Sequence, residues 1–468
     1  MEFIIGIFRL FLPVLLSLGL IVSPYAEYTP LENRSYGDYE QLEVVPNNNK
    51  YVSIKATDTG KDIFQLTKGV SFGYRYGPSI ITNADGSIDA WFAGPGGIGE
   101  WDWIMYRHSP DGGETWTDET AVLAPTPDSP DFYSCCDPGV IKVGDYYYLG
   151  YTSTTHPDGI INDVFVARSK SPSGPYEKWN GDGWGGKPEP IVKYNGDPTT
   201  FGAGEPSFVL LGDKLYVYYT WRDGSINQTR VAVADATSEN WPATMEYNGV
   251  AMTYKDGACD SADVKYVEDF GKFIAVNTVD RFTEDSSVGV YVSDDGLTFR
   301  SSYSLKTNIS HCCHNCGISS RENGHIRLED DVFLAYAYGD EWGFWPTRMH
   351  KVDLALIDAP DFSDYENINA KTETEFLSQS LFVDYIGITT EPHEYICSVG
   401  DNAFKVNVFK FDTLLNGRKI YSGVELSGYD PKIISVDGLR IKPIAVGQTF
   451  VTAEWQGFTV NFVVTVTE

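Results

Sequence analysis

Residues 134–152 read SCCDPGVIKVGDYYYLGYT, and this stretch decides the fold of the chain. Two runs rich in aromatic and β-branched residues flank a Gly144-Asp145 turn, a pattern typical of a β-hairpin. Similar hairpins recur along the chain, with first strands starting near residues 76, 136, 204, 262 and 316 and second strands over 88–92, 146–151, 215–220, 272–277 and 332–338. A repeat of about 60 residues with several strands per unit and no helical period predicts a β-propeller, here with one blade per hairpin. We therefore predict an all-β fold built on a five-bladed propeller over residues 69–358.

Composition limits the class of partner. The 468 residues carry a formal net charge of −30. Phosphate backbones and anionic membrane surfaces bind to cationic faces, so this charge argues against nucleic acid and against a membrane surface. A neutral or weakly charged partner is expected.

The N-terminus has the layout of a secretory signal. Arg9 precedes an apolar run over residues 10–22, and the small residue Ala26 follows. The run is too short and interrupted for a membrane span. We predict a signal peptide over 1–26, a secreted or cell-surface location, and no membrane span after its removal. Pro24 leaves an uncleaved N-terminal anchor as the alternative.

Outside the propeller, three further segments are predicted. Residues 27–68 are polar and without clear period, typical of a linker or a wrapping strand, and residues 359–375 form an acidic linker. Residues 376–468 alternate as short strands, and the stretch GQTFVTAEWQGFTV at 447–460 resembles a bacterial immunoglobulin-like module. The resemblance implies a β-sandwich that acts as a spacer or adhesion unit, so we expect no chemistry there.

Acidic residues occupy the start of three consecutive hairpins. Asp137, Glu205 and Asp263 stand just before or at the first strand of their repeats. First strands of a propeller converge on a central funnel, so these carboxyl groups are expected to meet there. Glycoside hydrolysis needs one protonated carboxyl group and one ionised carboxylate, and mutual repulsion separates their pKa values. The alternative is that each acid is only a strand-initiating turn residue.

The same segments carry a family resemblance. The stretches CDPGVI, GEPSFVLLGDKLYVYYT and DVKYV resemble the five-bladed glycosidases of the arabinanase, xylosidase and fructosidase clan. The resemblance implies that Glu205 is the acid and that Asp137 tunes it, a role Asp263 could share. The first blade departs from the pattern because Gly77 stands where the clan has its aspartate base. The alternatives are that Asp263 or Asp102 supplies the base, that the enzyme uses another nucleophile, or that the site only binds sugar.

A second resemblance concerns the first blade. Residues 109–116, SPDGGETW, match the sialidase Asp-box, whose usual role is structural, and Arg75 and Asp102 would be an arginine clamp and an acid. Arg230 and Arg281 are weak candidates for the remaining arginines of such a site. A sialidase-like hydrolase is therefore the second hypothesis, and a non-catalytic carbohydrate-binding surface protein is the third.

Seven cysteines, six of them near the starts of first strands, predict disulfides in an oxidising compartment. A cross-blade bridge or a bridge between Cys135 and Cys136 is favoured over zinc at His311-Cys-Cys-His-Asn-Cys316. No cofactor is expected, and calcium is suggested only by the resemblance. His314 is placed in the funnel as a substrate or ion contact, and Trp101, Trp221 and Trp342 are predicted to stack on sugar rings.

The main hypothesis is a secreted glycoside hydrolase that acts on a poly- or oligosaccharide. Its predicted catalytic residues are Asp137, Glu205 and Asp263. Its predicted substrate-binding residues are Arg75, Trp101, Asp102, Trp221, His314 and Trp342.

Overall fold

The computed structural model describes residues 30–31, 50–64, 74–96, 102–224, 226–253, 259–339, 343, 345–365, 385–391, 393–412, 417–420 and 423–468. Over these ranges the chain forms β-strands and short 3-10 helices such as Trp241–Thr244 and Ser363–Tyr365. None of the helices found there is long and apolar enough to cross a membrane. The predicted signal peptide at 1–26 lies outside the described residues.

Five sheets make up the first part of the described chain. Two strands precede the blades: β1 (Tyr51–Ala56) and β2 (Lys61–Asp62). Blade one contains β3 (Tyr76–Thr82), β4 (Ile88–Pro95), β5 (Asp102–Ser109) and β6 (Thr120–Leu123). Blade two contains β7 (Cys136–Val143), β8 (Tyr146–Ser153), β9 (Asp163–Ser169) and β10 (Glu177–Lys178). Blade three contains β11 (Gly202–Leu211), β12 (Lys214–Asp223), β13 (Ile226–Asp235) and β14 (Glu246–Thr253).

The remaining two sheets complete the set. Blade four contains β15 (Asp263–Val267), β16 (Lys272–Val279), β17 (Ser287–Ser293) and β18 (Arg300–Leu305), and β20 (His325–Ile326) pairs with its first strand. Blade five contains β19 (Cys313–Ile318), β21 (Val332–Tyr338) and β22 (Thr347–Ile357), to which β1 and β2 are added. The first strand of each blade contacts the first strand of the next, and β19 contacts β3, which closes a ring. The predicted all-β propeller fold is confirmed.

Neighbouring first strands approach closely around the axis. A Cβ atom on Gly139 would lie 2.0 Å from the carbonyl oxygen of Pro206, and one on Gly317 would lie 2.1 Å from that of Pro78, so only glycine fits at both positions. Blades are also joined by hydrogen bonds at this level: Val140 N–H donates to Ser79 (3.0 Å), Val264 N–H to Ser207 (2.9 Å) and Ile318 N–H to Asp263 (2.8 Å).

The ring is closed by the N-terminal part of the chain. Strand β1 pairs antiparallel with β22, in a register that sets Ile54 opposite Leu354. Val52 and Ile54 are fully buried in one apolar core with side chains of blades four and five. The segment predicted as a linker or wrapping strand therefore supplies the outer strand of the last blade. Leu31, also from this segment, is buried in the core shared by blades two and three.

The Asp-box serves a turn, as its structural interpretation predicts. The Ser109 hydroxyl donates to Asp111 (2.9 Å) and accepts the Gly113 N–H (2.7 Å), while Asp111 accepts the Thr115 N–H (2.8 Å). An equivalent turn follows the third strand of blade four, where the Ser293 hydroxyl donates to Asp295 (2.9 Å). Both motifs hold hairpin tips through short side-chain contacts.

The predicted disulfides are not found. All seven cysteines lie among the described residues, where none of them is in a disulfide, and six of them are buried. Cys135 and Cys136 point to different partners, because the Cys135 thiol lies near Asp131 whereas the Cys136 thiol faces Thr152 and Ser134. The two side chains therefore point into different surroundings, and this pair does not bridge.

The C-terminal region forms three small sheets. One contains β23 (Tyr385–Glu391), β26 (Asn407–Asp412) and β27 (Gly417–Lys419). The second contains β24 (Glu394–Ser398), β28 (Glu425–Ser427), β31 (Gly447–Trp455) and β32 (Phe458–Thr467), and the third contains β25 (Phe404–Lys405), β29 (Ile434–Asp437) and β30 (Arg440–Pro443). Side chains from all three sheets share one apolar core. The immunoglobulin-like assignment and the domain boundaries stay predictions.

We expect Ile54→Ala to destabilise the propeller, because it leaves a cavity in the core that the closing strand completes. The expected loss in the free energy of unfolding is about 2–5 kcal/mol. Chemical denaturation followed by tryptophan fluorescence measures it. Lys55→Ala, on the exposed face of the same strand, is the control and should change stability by less than about 0.5 kcal/mol. Equal effects of both substitutions would contradict closure by this strand.

Candidate active site

A cavity of about 660 Å³ opens where the first strands of the blades begin. Every blade contributes to its lining, and the titratable or hydrogen-bonding side chains there include Tyr74, Tyr76, Asp102, Asp137, Glu205, Asp260, Arg281, His314 and Asn315. Its size is typical of small-molecule sites. The convergence predicted for a propeller funnel is thus present.

Two of the cavity's acids sit at β-bulges in unusual backbone conformations. Strand pairing breaks register between Cys136 and Gly139 and again between Gly204 and Ser207. At these breaks Asp137 and Glu205 have φ of 49° and 53°, in the left-handed region that side chains rarely adopt. Strained residues of this kind cluster at functional sites, because the fold holds them against a conformational cost.

The same conformation identifies the equivalent residues of other blades. Gly77 has φ of 60° and Ser261 has φ of 51°. A small central space is lined by Gly77, Asp137, Glu205, Ser261 and Asn315, one from each blade, together with flanking residues such as Asp263. Blade four therefore contributes Ser261 at this level, and Asp263 lies two residues further along the chain.

Glu205 is a buried acid with several hydrogen-bond donors. The Thr220 hydroxyl donates to one carboxyl oxygen (2.6 Å) and the Asn315 amide to the other (3.3 Å). Burial, followed by the negative charge of Asp260, raises the pKa of Glu205 to about 8, although Arg281 opposes the shift. A carboxyl group with this pKa is mostly protonated at pH 7 and can give a proton to a leaving group.

Asn315 links three blades through one amide. Its nitrogen lies 3.2 Å from Asp137, 3.3 Å from Glu205 and 2.8 Å from the Ser261 hydroxyl. Burial raises the pKa of Asp137 to about 6, and the charge of Asp137 in turn helps to raise the pKa of Glu205. The Asn315 amide thus holds the carboxyl groups of Asp137 and Glu205 close together, so that the charge of one affects the pKa of the other.

Arg281 supplies positive charge at the centre of the cavity. Its guanidinium contacts Asp260 (2.5 Å), lies 3.7 Å from Glu205 and donates to the Asn315 carbonyl (3.4 Å). Burial opposes its charge, but the neighbouring carboxylates raise the pKa of Arg281, so it stays protonated. One oxygen of Asp260 is buried without a partner among the described residues. The Arg281–Asp260 ion pair therefore keeps one carboxylate oxygen with which to orient a ligand.

Asp102 faces the cavity from blade one with separate donors. The hydroxyl groups of Tyr74 (2.7 Å) and Tyr76 (3.2 Å) donate to its two oxygens. Burial raises the pKa of Asp102 to about 6, while the two tyrosines limit the shift. At pH 7 this group is mostly ionised. Gly77, by contrast, has no side chain, so blade one offers Asp102 as its carboxylate.

One side of the cavity is aromatic. The ring of His314 packs against Tyr76 (5.3 Å between centroids), Phe282 (4.5 Å) and Trp345 (4.7 Å). Burial and the charge of Arg281 lower the pKa of His314, so the imidazole is neutral. Its Nδ1 is buried without a partner among the described residues. This wall combines ring faces for stacking with one polar atom for a ligand hydroxyl.

Three predicted site residues lie elsewhere, and Asp263 is the first of them. It accepts from Lys265, from Ser207 (2.9 Å) and from Ile318 N–H (2.8 Å), so it performs the interblade role that Ser79 and Ser207 perform in other blades. It does not line the main cavity, and an acid occupied in this way is a poor catalytic candidate.

The other two residues are structural by their contacts. Arg75 is buried in blade one, where it makes a two-point ion pair with Glu119 at 2.6 Å for each bond. Its side chain therefore does not offer the carboxylate clamp of the sialidase hypothesis. Trp221 is buried beside Tyr194, beneath the Arg230 guanidinium. Trp101 and Trp342, predicted as sugar contacts, lie outside the described residues.

Sequence reasoning missed Asp260, Asn315, Tyr74 and Tyr76, and it considered Arg281 only for a sialidase. A signal for blade four was present, because Ser261-Ala262-Asp263 aligns with Glu205-Pro206-Ser207 once the bulge is matched. Among the described residues, no group of three or more His, Cys, Asp or Glu side chains is arranged to hold a metal ion.

Neither a protein-family model nor a curated protein sequence matches the chain. Among solved structures, the chain is similar to Zg3597, a family 117 glycoside hydrolase of the marine bacterium Zobellia galactanivorans. The identity is 15%, the match covers 71% of this chain and 99% of that one, and the TM-score is 0.49.

Two more of the similar structures are α-L-arabinofuranosidases. One, from Podospora anserina, is 12% identical with a TM-score of 0.46, and the match covers 63% of this chain and 95% of that one. The other, from Lactobacillus brevis, is 13% identical with a TM-score of 0.44, and the match covers 59% of this chain and 90% of that one. Similarities at this level carry no functional inference.

We expect Asn315→Leu to destabilise the protein in a pH-dependent way. The substitution removes the amide donor from Asp137, Glu205 and Ser261, at a cost of about 1–3 kcal/mol in the free energy of unfolding. Losing the donor raises the folded-state pKa of both acids further above their unfolded values. Because a raised carboxyl pKa destabilises the fold at higher pH, the loss relative to the unsubstituted protein should grow as pH rises through the folded-state pKa values of Asp137 (about 6) and Glu205 (about 8), that is, from about pH 6 to 9. Denaturant titrations across this range measure it, and a loss independent of pH would contradict the linkage.

Proposed function

We propose that this chain is a glycoside hydrolase whose general acid is Glu205 and whose base is Asp102. The observation that carries this proposal is that two carboxyl groups in one cavity have separate donor sets and different pKa values. Glu205 has a pKa of about 8 and Asp102 a pKa of about 6. At neutral pH one is protonated and the other ionised, which is the pairing that glycosidic cleavage requires.

The remaining polar groups support these roles. Asp137 shares the Asn315 amide with Glu205, and its charge helps to keep Glu205 protonated. We therefore assign Asp137 the tuning role. Arg281 and Asp260 would position the sugar beside the acid, because they form an ion pair in the cavity lining. The aromatic wall around His314 would stack on a sugar ring.

The charge of the lining favours a neutral sugar. The described lining carries six carboxyl groups, from Asp102, Asp137, Asp158, Glu205, Asp260 and Asp280, and two guanidinium groups, from Arg222 and Arg281. A uronate, sulfate or sialate would meet mostly like charge there. Arg75 is paired with Glu119 and does not offer a clamp for a carboxylate, which also argues against a sialidase. We therefore rank the sialidase hypothesis below a hydrolase for neutral glycans.

The pH dependence of activity tests the two assigned groups. We expect kcat/KM to be highest between about pH 6 and 8, since Asp102 must be ionised and Glu205 protonated. A panel of neutral and anionic polysaccharides provides the substrate, and the release of reducing ends measures hydrolysis. Glu205→Gln should lower kcat by about 10²–10⁴-fold and abolish the alkaline limb, and Asp102→Asn should abolish the acidic limb.

Two results would count against this assignment. Full activity in Glu205→Gln would exclude it as the acid. A parent protein that binds a neutral glycan but cleaves none would favour the non-catalytic carbohydrate-binding alternative. Ser134→Ala, which removes a hydroxyl from the cavity lining without touching either carboxyl group, is a control for general disturbance of the cavity.

The tuning role of Asp137 makes a separate prediction. Removing its negative charge should lower the pKa of Glu205, because that charge disfavours ionisation of Glu205. In Asp137→Asn the alkaline limb of the kcat/KM profile should therefore move to lower pH. A loss of activity with both limbs in place would show that Asp137 acts otherwise than through Glu205.

A further inference from the structure

A second cavity, of about 380 Å³, adjoins the candidate active site. Val279 and Asp280, at the end of β16, line both cavities. From there the second cavity, here named the blade-four groove, extends over strands β17 and β18 to Phe362. The roles assigned to the catalytic cavity do not use it.

The floor of the groove combines small and large residues. Ser287, Gly289, Ser301 and Ser304 lie along it, and the Ser304 hydroxyl donates to Ser287 (3.2 Å). The larger side chains of Val290, Tyr291 and Tyr303 line it as well. The serines and tyrosines give this lining several hydroxyl groups that can form hydrogen bonds.

Phe362 forms an exposed aromatic wall that is held in place. Its side chain is 47% exposed, which is unusual for a large apolar residue. On one side Asp361 N–H donates to the Ser302 carbonyl (3.0 Å). On the other, Asp364 accepts the N–H groups of Lys306 (2.8 Å) and Thr307 (3.0 Å). The backbone thus presents the ring as a fixed platform.

We propose that the blade-four groove binds the continuing chain of a neutral oligosaccharide whose reacting residue lies in the catalytic cavity. The inference rests on the proposed function and adds that the substrate is a chain rather than a single sugar. A polyhydroxylated ligand forms hydrogen bonds with the serine hydroxyls while one ring stacks on Phe362. An apolar peptide would leave those polar groups without partners.

Binding measurements in an inactivated protein test this proposal. Glu205→Gln serves as the parent, because we expect it to bind sugar without cleaving it. Isothermal titration uses neutral linear di- and hexasaccharides of arabinose, xylose and galactose as probes. We expect the hexasaccharide of one series to bind at least 10-fold more tightly than its disaccharide. Adding Phe362→Ala should bring this ratio close to one, since stacking on one ring is worth about 10-fold.

A second variant and a control keep the result clear. Ser301→Gln, at an exposed floor position, should block the groove and lower the ratio in the same way, without removing an aromatic side chain. Leu356→Ala removes a similarly exposed apolar side chain, 39% exposed, that lines neither cavity, and should leave the ratio unchanged.

The outcomes separate the two proposals. Equal affinity for di- and hexasaccharides, or a ratio that neither Phe362→Ala nor Ser301→Gln changes, would overturn the groove while hydrolysis by the active protein still stands. If the active protein cleaves no polysaccharide and no probe binds, the proposed function fails and the groove proposal falls with it.

Discussion

The close approach of the first strands around the axis is the constraint on which the rest of the structure depends. Glycine at positions 139 and 317 allows neighbouring backbones to come together, and Ser79, Ser207 and Asp263 join each blade to the next. One level above this contact, the strands bulge and turn side chains into a common space. The cavity is therefore a consequence of how tightly the ring is packed, and its chemistry depends on which residue each bulge carries.

Burial gives these side chains their chemical character. A carboxyl group withdrawn from water is harder to ionise, and the extent depends on its donors and on nearby charge. Glu205 lies close to Asp260 and Asp137, with Arg281 as partial compensation, whereas Asp102 has two tyrosine donors and a more distant position in blade one. The same environment that separates the two acids also includes a neutral imidazole and a set of ring faces. A polar ligand entering there exchanges water for fixed partners.

Local patterns in the sequence are enough to predict the hairpins, the propeller and the position of Asp137 and Glu205. These predictions succeed because aromatic alternation and an acid followed by proline are local signals. Blade four carries Ser261-Ala262 at the equivalent position, and without the proline the pattern places the register two residues too far, at Asp263. The alternation of side chains along β12 could have predicted that Trp221 is a core residue, since it shares a strand face with the buried Leu215, Val217 and Tyr219. Other features depend on contacts between distant segments. Arg75 pairs with Glu119, 44 residues further along the chain. Whether two cysteines can form a disulfide likewise depends on where the fold places their side chains.

The pairing of β1 with β22 also has a consequence for biosynthesis. Ser53 contacts Ala355 across 302 residues, so β1, although it is synthesised first, has no pairing partner until nearly the whole ring has been synthesised. Contacts that span so much chain form slowly, and the incomplete ring exposes unpaired strand edges in the meantime. The propeller therefore acquires its final shape only after its last blade has left the ribosome.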